Sequence, residues 1–219
     1  LANQISFFTS FNPKNYGNQY KTWASYAYKT YAIQDPKDTK IDVDCSIILN
    51  KANEIENKRL HKISDIIKIA RLLEENEKFV LLNSDIELNF QDETWSNICE
   101  MANEGMVVGY RSDYKLDRKK NKKYIYGLDF FVINKKIQVA DAPFVMGSCG
   151  WDWWMVYLCM SQDIPVYSIK GEGNIYHKMH ERNWTDEMLL ESQKWFQETA
   201  NLDKNSIKIN LVNYIENIV

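Results

Sequence analysis

Four consecutive apolar residues, Phe79 to Leu82, run straight into Asn83, Ser84 and Asp85. A run so short and so apolar predicts a strand buried on both faces. Its polar end predicts a loop at the rim of a sheet. Similar signals recur. Ile5 to Phe11 (ISFFTSF) predicts a first strand, broken at Asn12-Pro13. Tyr16, Tyr20, Trp23, Ala27 and Tyr31 follow at helical spacing and predict a helix, ended by Asp35-Pro36. Cys45 to Leu49 (CSIIL) predicts a second strand. Ile63, Ile66, Ile67, Ala70 and Leu73 mark one face of an amphipathic helix.

The first half therefore reads β-α-β-α-β, which predicts a mostly parallel sheet with helices on both faces. Trp95, Ile98, Met101 and Ala102 predict a further helix, and Met106–Tyr110 and Ile125–Ile133 two more strands. Trp154, Met155, Leu158 and Cys159 share one side of another helix. Val166–Ile169 is a short late strand. Thr185 can cap a helix from Asp186 to about Thr199. Ile207, Leu211, Tyr214, Ile215 and Ile218 predict a C-terminal amphipathic helix. There is no internal repeat or linker, so one α/β domain over 1–219 is expected. Its first half would span about 1–110 and its second about 111–219. The chain opens on Leu1, not on methionine, which fits excision from a longer protein.

Composition adds limits. The chain has 219 residues, enough for one sizeable core. A net charge of −3 gives no overall attraction to nucleic acid. The basic run Arg118–Lys123 reads as an exposed loop. No apolar run is long enough to span a membrane and no signal peptide opens the chain. Cys45, Cys99, Cys149 and Cys159 form no C-x-x-C pair, and reduced thiols fit a cytoplasmic setting. Seven Trp and thirteen Tyr are compatible with a surface that grips ring-shaped ligands, or with an aromatic core.

Carboxylates at the mouth of a core need compensation. In open α/β sheets ligands gather at the carboxyl ends of strands. The turn after the first strand, Thr9-Ser10-Phe11-Asn12-Pro13, carries no glycine, and no Walker A sequence is present. A bound phosphate would need a divalent cation, and Asp85 is placed to hold one. Glu87, two residues on, would share its side in extended chain. In FVMGSCGWDWW, Phe144 to Trp154, Gly147 and Gly150 permit close ligand approach. Asp152 lies between Trp151 and Trp153, and desolvation there would make it a better base. The two indoles could stack on sugar rings, or could be core residues in a first helical turn. Asp129, inside an apolar strand, needs a partner. His177 and His180 lie beside Lys178 and Arg182, which suits an anionic group. Arg59 and Lys62 could reach a base or phosphates, or could be solvated.

Asn83-Ser84-Asp85 after a buried strand resembles the D-x-D motif of GT-A glycosyltransferases, with Asn83 at the first acidic position. The likeness runs from ISFFTSFNP to IYHKMH. With FVMGSCGWDWW it resembles the small GT-A domains that large DNA viruses encode to glycosylate their capsids. The resemblance implies a GT-A (Rossmann-like) fold and a cytoplasmic transferase, in the host cytoplasm if viral. It implies a nucleoside-diphosphate sugar donor, most readily a UDP-sugar, and a glycan or glycoprotein acceptor. Thr9, Ser10, Phe11, Asn12, Asn83 and Ser84 would hold the donor nucleotide. Asp85 and His177, with Glu87 as a weaker ligand, would bind Mn²⁺ or Mg²⁺. His180 would contact the diphosphate, Asp129 the donor sugar or acceptor. Asp152 would take the acceptor's proton, which implies inversion. A nucleotidyltransferase making nucleotide sugars and a non-catalytic sugar- or nucleotide-binding module are the alternatives.

Overall fold

The computed structural model describes residues 5–10, 19–36, 43–49, 53–55, 58–115, 117, 119, 122–169, 173–180 and 184–216. The first three strands, β1 (Ile5–Ser10), β2 (Ala27–Gln34) and β3 (Cys45–Ile48), lie parallel and side by side. A separate two-stranded ribbon follows, β4 (Asn53–Ile55) and β5 (Lys58–Leu60). Helix α1 (Ile63–Leu73) leads to β6 (Lys78–Leu82), which pairs parallel with β1. Then come β7 (Ile86–Leu88), α2 (Asp92–Glu104), β8 (Met106–Tyr114) and β9 (Lys122–Asn134). The last elements are α3 (Trp151–Met160), β10 (Val166–Ile169), β11 (Ile175–Lys178), α4 (Asp186–Ala200) and α5 (Lys204–Glu216).

The main sheet has nine strands, eight of them in the order β3-β2-β1-β6-β9-β8-β11-β7. β10 and β11 share one edge of β8: β10 pairs with Met106–Gly109 and β11 with Ser112–Tyr114. Side chains alternate across the sheet and build two cores. Phe79 and Leu81 of β6 join α1, α3, α4 and α5 on one face. Val80 and Leu82 join α2 and Trp23 on the other. The uninterrupted apolar run of β6 is the direct consequence of burial on both faces. The chain is an α/β domain with helices on both faces of a mixed, mostly parallel sheet.

Three expectations need correction. The helix expected around Tyr20–Tyr31 is a short 3-10 turn, Gln19–Trp23, followed by strand β2; Tyr16 lies outside the described residues. Trp23 is fully buried and its indole Nε1 donates to the Ile86 carbonyl at 2.8 Å, which anchors the turn. Residues 30–34 are all buried: β1 and β3 pair with the edges of β2, and Tyr31 and Ile33 pack into the core shared with α1. A strand with no exposed face has no period-2 signature to set against the helical one. Second, the β4–β5 ribbon was not anticipated, while the antiparallel run of β9 between β6 and β8 leaves the sheet mostly parallel, as expected. Third, β7 and β11 were not anticipated; each is three or four residues long and they pair antiparallel with one another. Of the basic run, Arg118, Lys120 and Asn121 lie outside the described residues, while Lys122 and Lys123 open β9.

Gly109 makes room for the site strand. A Cβ there would stand 2.1 Å from Ile175 Cδ1 on β11 and 3.2 Å from the Phe130 ring. An added side chain would require the Ile175 tip to swing aside and the Phe130 ring to give way. The described residues contain no helix long and apolar enough to cross a membrane. All four cysteines are free thiols.

Candidate metal centre and its surroundings

β6 ends at Leu82 and the chain turns at once. The Asn83 N–H donates to the Asp129 carbonyl at 3.1 Å, and the Ile86 N–H donates back to the Asn83 carbonyl at 3.3 Å. Ser84 and Asp85 form the tip of that turn. From there the Asp85 Oδ2 lies 2.9 Å from His180 Nε2 and 3.4 Å from His177 Nε2. The two Nε2 atoms are 3.2 Å apart. The ligand atoms of Asp85, His177 and His180 all lie within 4.8 Å of one another. The sequence assigned one metal-binding imidazole; the geometry brings both to the carboxylate. His177 sits on β11 and His180 just past its end, so a strand end sets their spacing.

This donor set fits a metal ion. The Asp85 Oδ1 is buried without a hydrogen-bond partner among the described residues, a costly state for a carboxylate oxygen. Two imidazoles and a carboxylate suit a first-row transition ion better than Mg²⁺ or Ca²⁺. Burial alone would raise the Asp85 pKa, but the two histidines outweigh it and hold the carboxylate well below its usual range. For His177, burial alone would lower the pKa. The Asp113 and Asp85 carboxylates overcome that and raise it to about 9.

Glu87 does not join the cluster. The turn at Ser84-Asp85 breaks the extended-chain parity that would have put it on the Asp85 side. In register it sits opposite Tyr176, while Ile86 sits opposite His177. Its Oε1 instead accepts the Tyr114 hydroxyl at 2.8 Å.

A second group of charges lies alongside. Asp129 Oδ1 accepts a hydrogen bond from the Asn83 side-chain amide, and Oδ2 one from Arg111 Nη1 at 2.7 Å. An amide at position 83 can donate here, where a carboxylate would repel. The Arg111 Nε lies 2.9 Å from Asp113 Oδ1, and that oxygen lies 2.9 Å from His177 Nδ1. Burial would lower the Arg111 pKa, but Asp129 and Asp113 more than offset it and keep the guanidinium charged. Asp152 opens α3 and its Oδ2 accepts the Leu128 N–H at 3.4 Å. Burial, then the charge of Asp129, push its pKa up to about 7. The Trp153 and Leu128 N–H groups and Arg111 hold it back from going higher.

Gly150 sets the start of α3. Its φ is +88°, and an added Cβ would stand 2.0 Å from Ser192 Oγ on α4. Gly150→Ala is expected to cost about 1–3 kcal/mol of stability and to displace Asp152. Chemical denaturation with an activity assay checks it; an unchanged midpoint would contradict the packing described.

The other expected site residues are scattered. Thr9 is fully buried inside β1. Ser10, at the strand end, has its Oγ 3.2 Å from His61 Nδ1. Phe11 and Asn12 lie outside the described residues. So does the side chain of Arg59, on β5. Lys62 pairs with Asp141 at 3.7 Å. Gly147 borders open space, with nothing within 4 Å of an added Cβ. Trp151 and Trp153 are 2% and 7% exposed and pack in the core, Trp151 at 5.1 Å from the Phe131 ring, so neither indole offers a face to a sugar. Sequence reasoning missed Arg111, Asp113 and His61. For the first two a signal existed: RSDY places two opposite charges two residues apart in an apolar strand, where buried charges demand partners.

No family's sequence profile matches the chain, and no curated protein matches it. Among solved structures, the inositol-1-phosphate CTP transferase from T. maritima is similar over 90% of this chain and 98% of its own, at 10% identity and TM-score 0.49. HddC from Yersinia pseudotuberculosis covers 64% of this chain and 81% of its own, at 12% identity and TM-score 0.39. The same protein complexed with GMP-PN covers 88% of this chain and 100% of its own, at 11% identity and TM-score 0.40. Likenesses this weak carry no activity over to this chain.

Proposed function

We propose that the chain is a metal-dependent glycosyltransferase. It would move a sugar from a nucleoside-diphosphate sugar, with UDP-sugars first among donors, to a hydroxyl of a glycan or glycoprotein. The observation that carries this reading is the convergence of Asp85, His177 and His180 where β6 stops. That is the rim at which open α/β sheets gather ligands. Asp85, His177 and His180 would hold Mn²⁺, in preference to Mg²⁺ on account of the two imidazoles. Bound there, the ion supplies Lewis-acid stabilisation of charge on a leaving diphosphate.

The protein's own groups supply the rest. Asp152, with its pKa near 7, is about half ionised at neutral pH and holds a proton more tightly than an ordinary carboxylate. That is the property of a general base for an acceptor hydroxyl, and it favours inversion. Asp129, held by Arg111 and Asn83, lies close enough to Asp152 for its carboxylate to be, after burial, the next largest cause of that raised pKa. Ser10 and the Asn83-Ser84 turn stand at strand ends, on the side from which a nucleoside would approach.

Thermal melting tests the reading. UDP is expected to raise Tm only with Mn²⁺ present. Equal stabilisation without metal, or a response to free sugar alone, would contradict it. Incubation with Mn²⁺, a nucleotide sugar and an acceptor should release the nucleoside diphosphate. Pyrophosphate made from a nucleoside triphosphate and a sugar phosphate would instead identify a nucleotidyltransferase.

A further inference from the structure

Asp113 is not one of the three grouped ligands, yet its carboxylate contacts the ring of one of them, His177. Parallel pairing of β8 with β11 sets Asp113 directly beside His177, so both side chains project from one face of the sheet. The Asp113 Oδ1 lies 2.9 Å from His177 Nδ1. An ionised carboxylate only accepts hydrogen bonds, so Nδ1 must carry the hydrogen. In the neutral ring the lone pair then falls on Nε2, the atom that faces Asp85 and His180. Arg111, two residues earlier on β8, has its Nε 2.9 Å from that same Asp113 oxygen and is itself fixed to Asp129 at 2.7 Å.

We propose that Asp113, braced by Arg111, is a positioning residue that fixes the tautomer and orientation of His177 so that Nε2 is the metal-binding atom. The inference rests on the reading of Asp85, His177 and His180 as a metal site. A flipped ring would lose the Asp113 bond and turn Nδ1 toward the cluster. The carboxylate also makes the ring a stronger donor, and losing such an outer partner typically weakens metal affinity by about 10–100-fold.

Two measurements test it. In wild-type protein loaded with Zn²⁺ as a diamagnetic probe, long-range ¹H–¹⁵N spectra should show His177 protonated at Nδ1 and bound through Nε2. A proton on Nε2 overturns the proposal. In Mn²⁺ titrations Asp113→Asn should bind about 10–100-fold more weakly than wild type, with the same far-UV spectrum. Affinity within twofold of wild type also overturns it. Wild-type protein that binds neither ion removes the metal site itself. Wild-type protein that binds them through the wrong ring nitrogen removes only the role of Asp113.

Discussion

Asp85→Ala is expected to abolish specific Mn²⁺ binding while leaving the domain folded. Asp85 is the only carboxylate of the cluster among the described residues, and its Oδ2 faces both imidazoles. Its other oxygen is buried without a partner among the described residues. Glu87, the nearest acidic residue in sequence, is bonded to Tyr114 from the opposite face. Removing a direct ligand should exceed the ~10–100-fold loss seen when an outer partner is removed. Isothermal titration with Mn²⁺ reads the affinity, and circular dichroism checks the fold. Retained affinity would take Asp85 out of the site. Wild-type binding should also depend on pH. Burial lowers the His177 pKa, but Asp113 and Asp85 raise it to about 9, so a metal must displace a proton from the ring below that pH. Affinity should therefore rise about tenfold per pH unit between pH 6 and 8. A flat profile would mean that no proton is displaced from His177.

Asp152→Asn should cut transfer by about a hundredfold or more while sparing donor binding, the usual scale for losing a general base. The same substitution should stabilise the protein, which separates a strained functional carboxylate from a structural one. Burial and Asp129 raise the Asp152 pKa to about 7, so the folded protein holds this proton more tightly than the unfolded chain. Folding is therefore unpenalised below the ordinary carboxylate pKa. The penalty grows through pH 4–7 and is complete above, where it is on the order of a few kcal/mol. Asparagine cannot ionise and escapes it. The Tm of the variant should exceed wild type at pH 8 and match it near pH 4. Equal melting at both pH values would contradict the desolvated carboxylate, and full activity would end its role as base.

What the sequence made legible was local. The β6 run, its polar end at Asp85, the α1 stripe and the capped start of α4 all depend on residues a few positions apart. Thr185, for instance, accepts from the Met188 N–H as its position predicted. The unseen parts depend on partners distant in sequence. β2 looks helical because its second half, residues 30–34, is buried on both faces and so lacks alternation. β11 is only four residues long, and its pairing with β7 and β8 defines it. That pairing carries His177 to Asp85 across 92 positions and sets Asp113 at its back. The indoles beside Asp152 were read two ways, and the core took them, because α3 is buried on nearly every side.

The most direct measurement is a crystal of the protein with Mn²⁺ and UDP, with anomalous scattering recorded at the manganese edge. A single anomalous peak within bonding distance of Asp85 and the Nε2 atoms of His177 and His180, next to the diphosphate, is the predicted result. A peak elsewhere, or nucleotide bound with no ion at those side chains, would contradict the account.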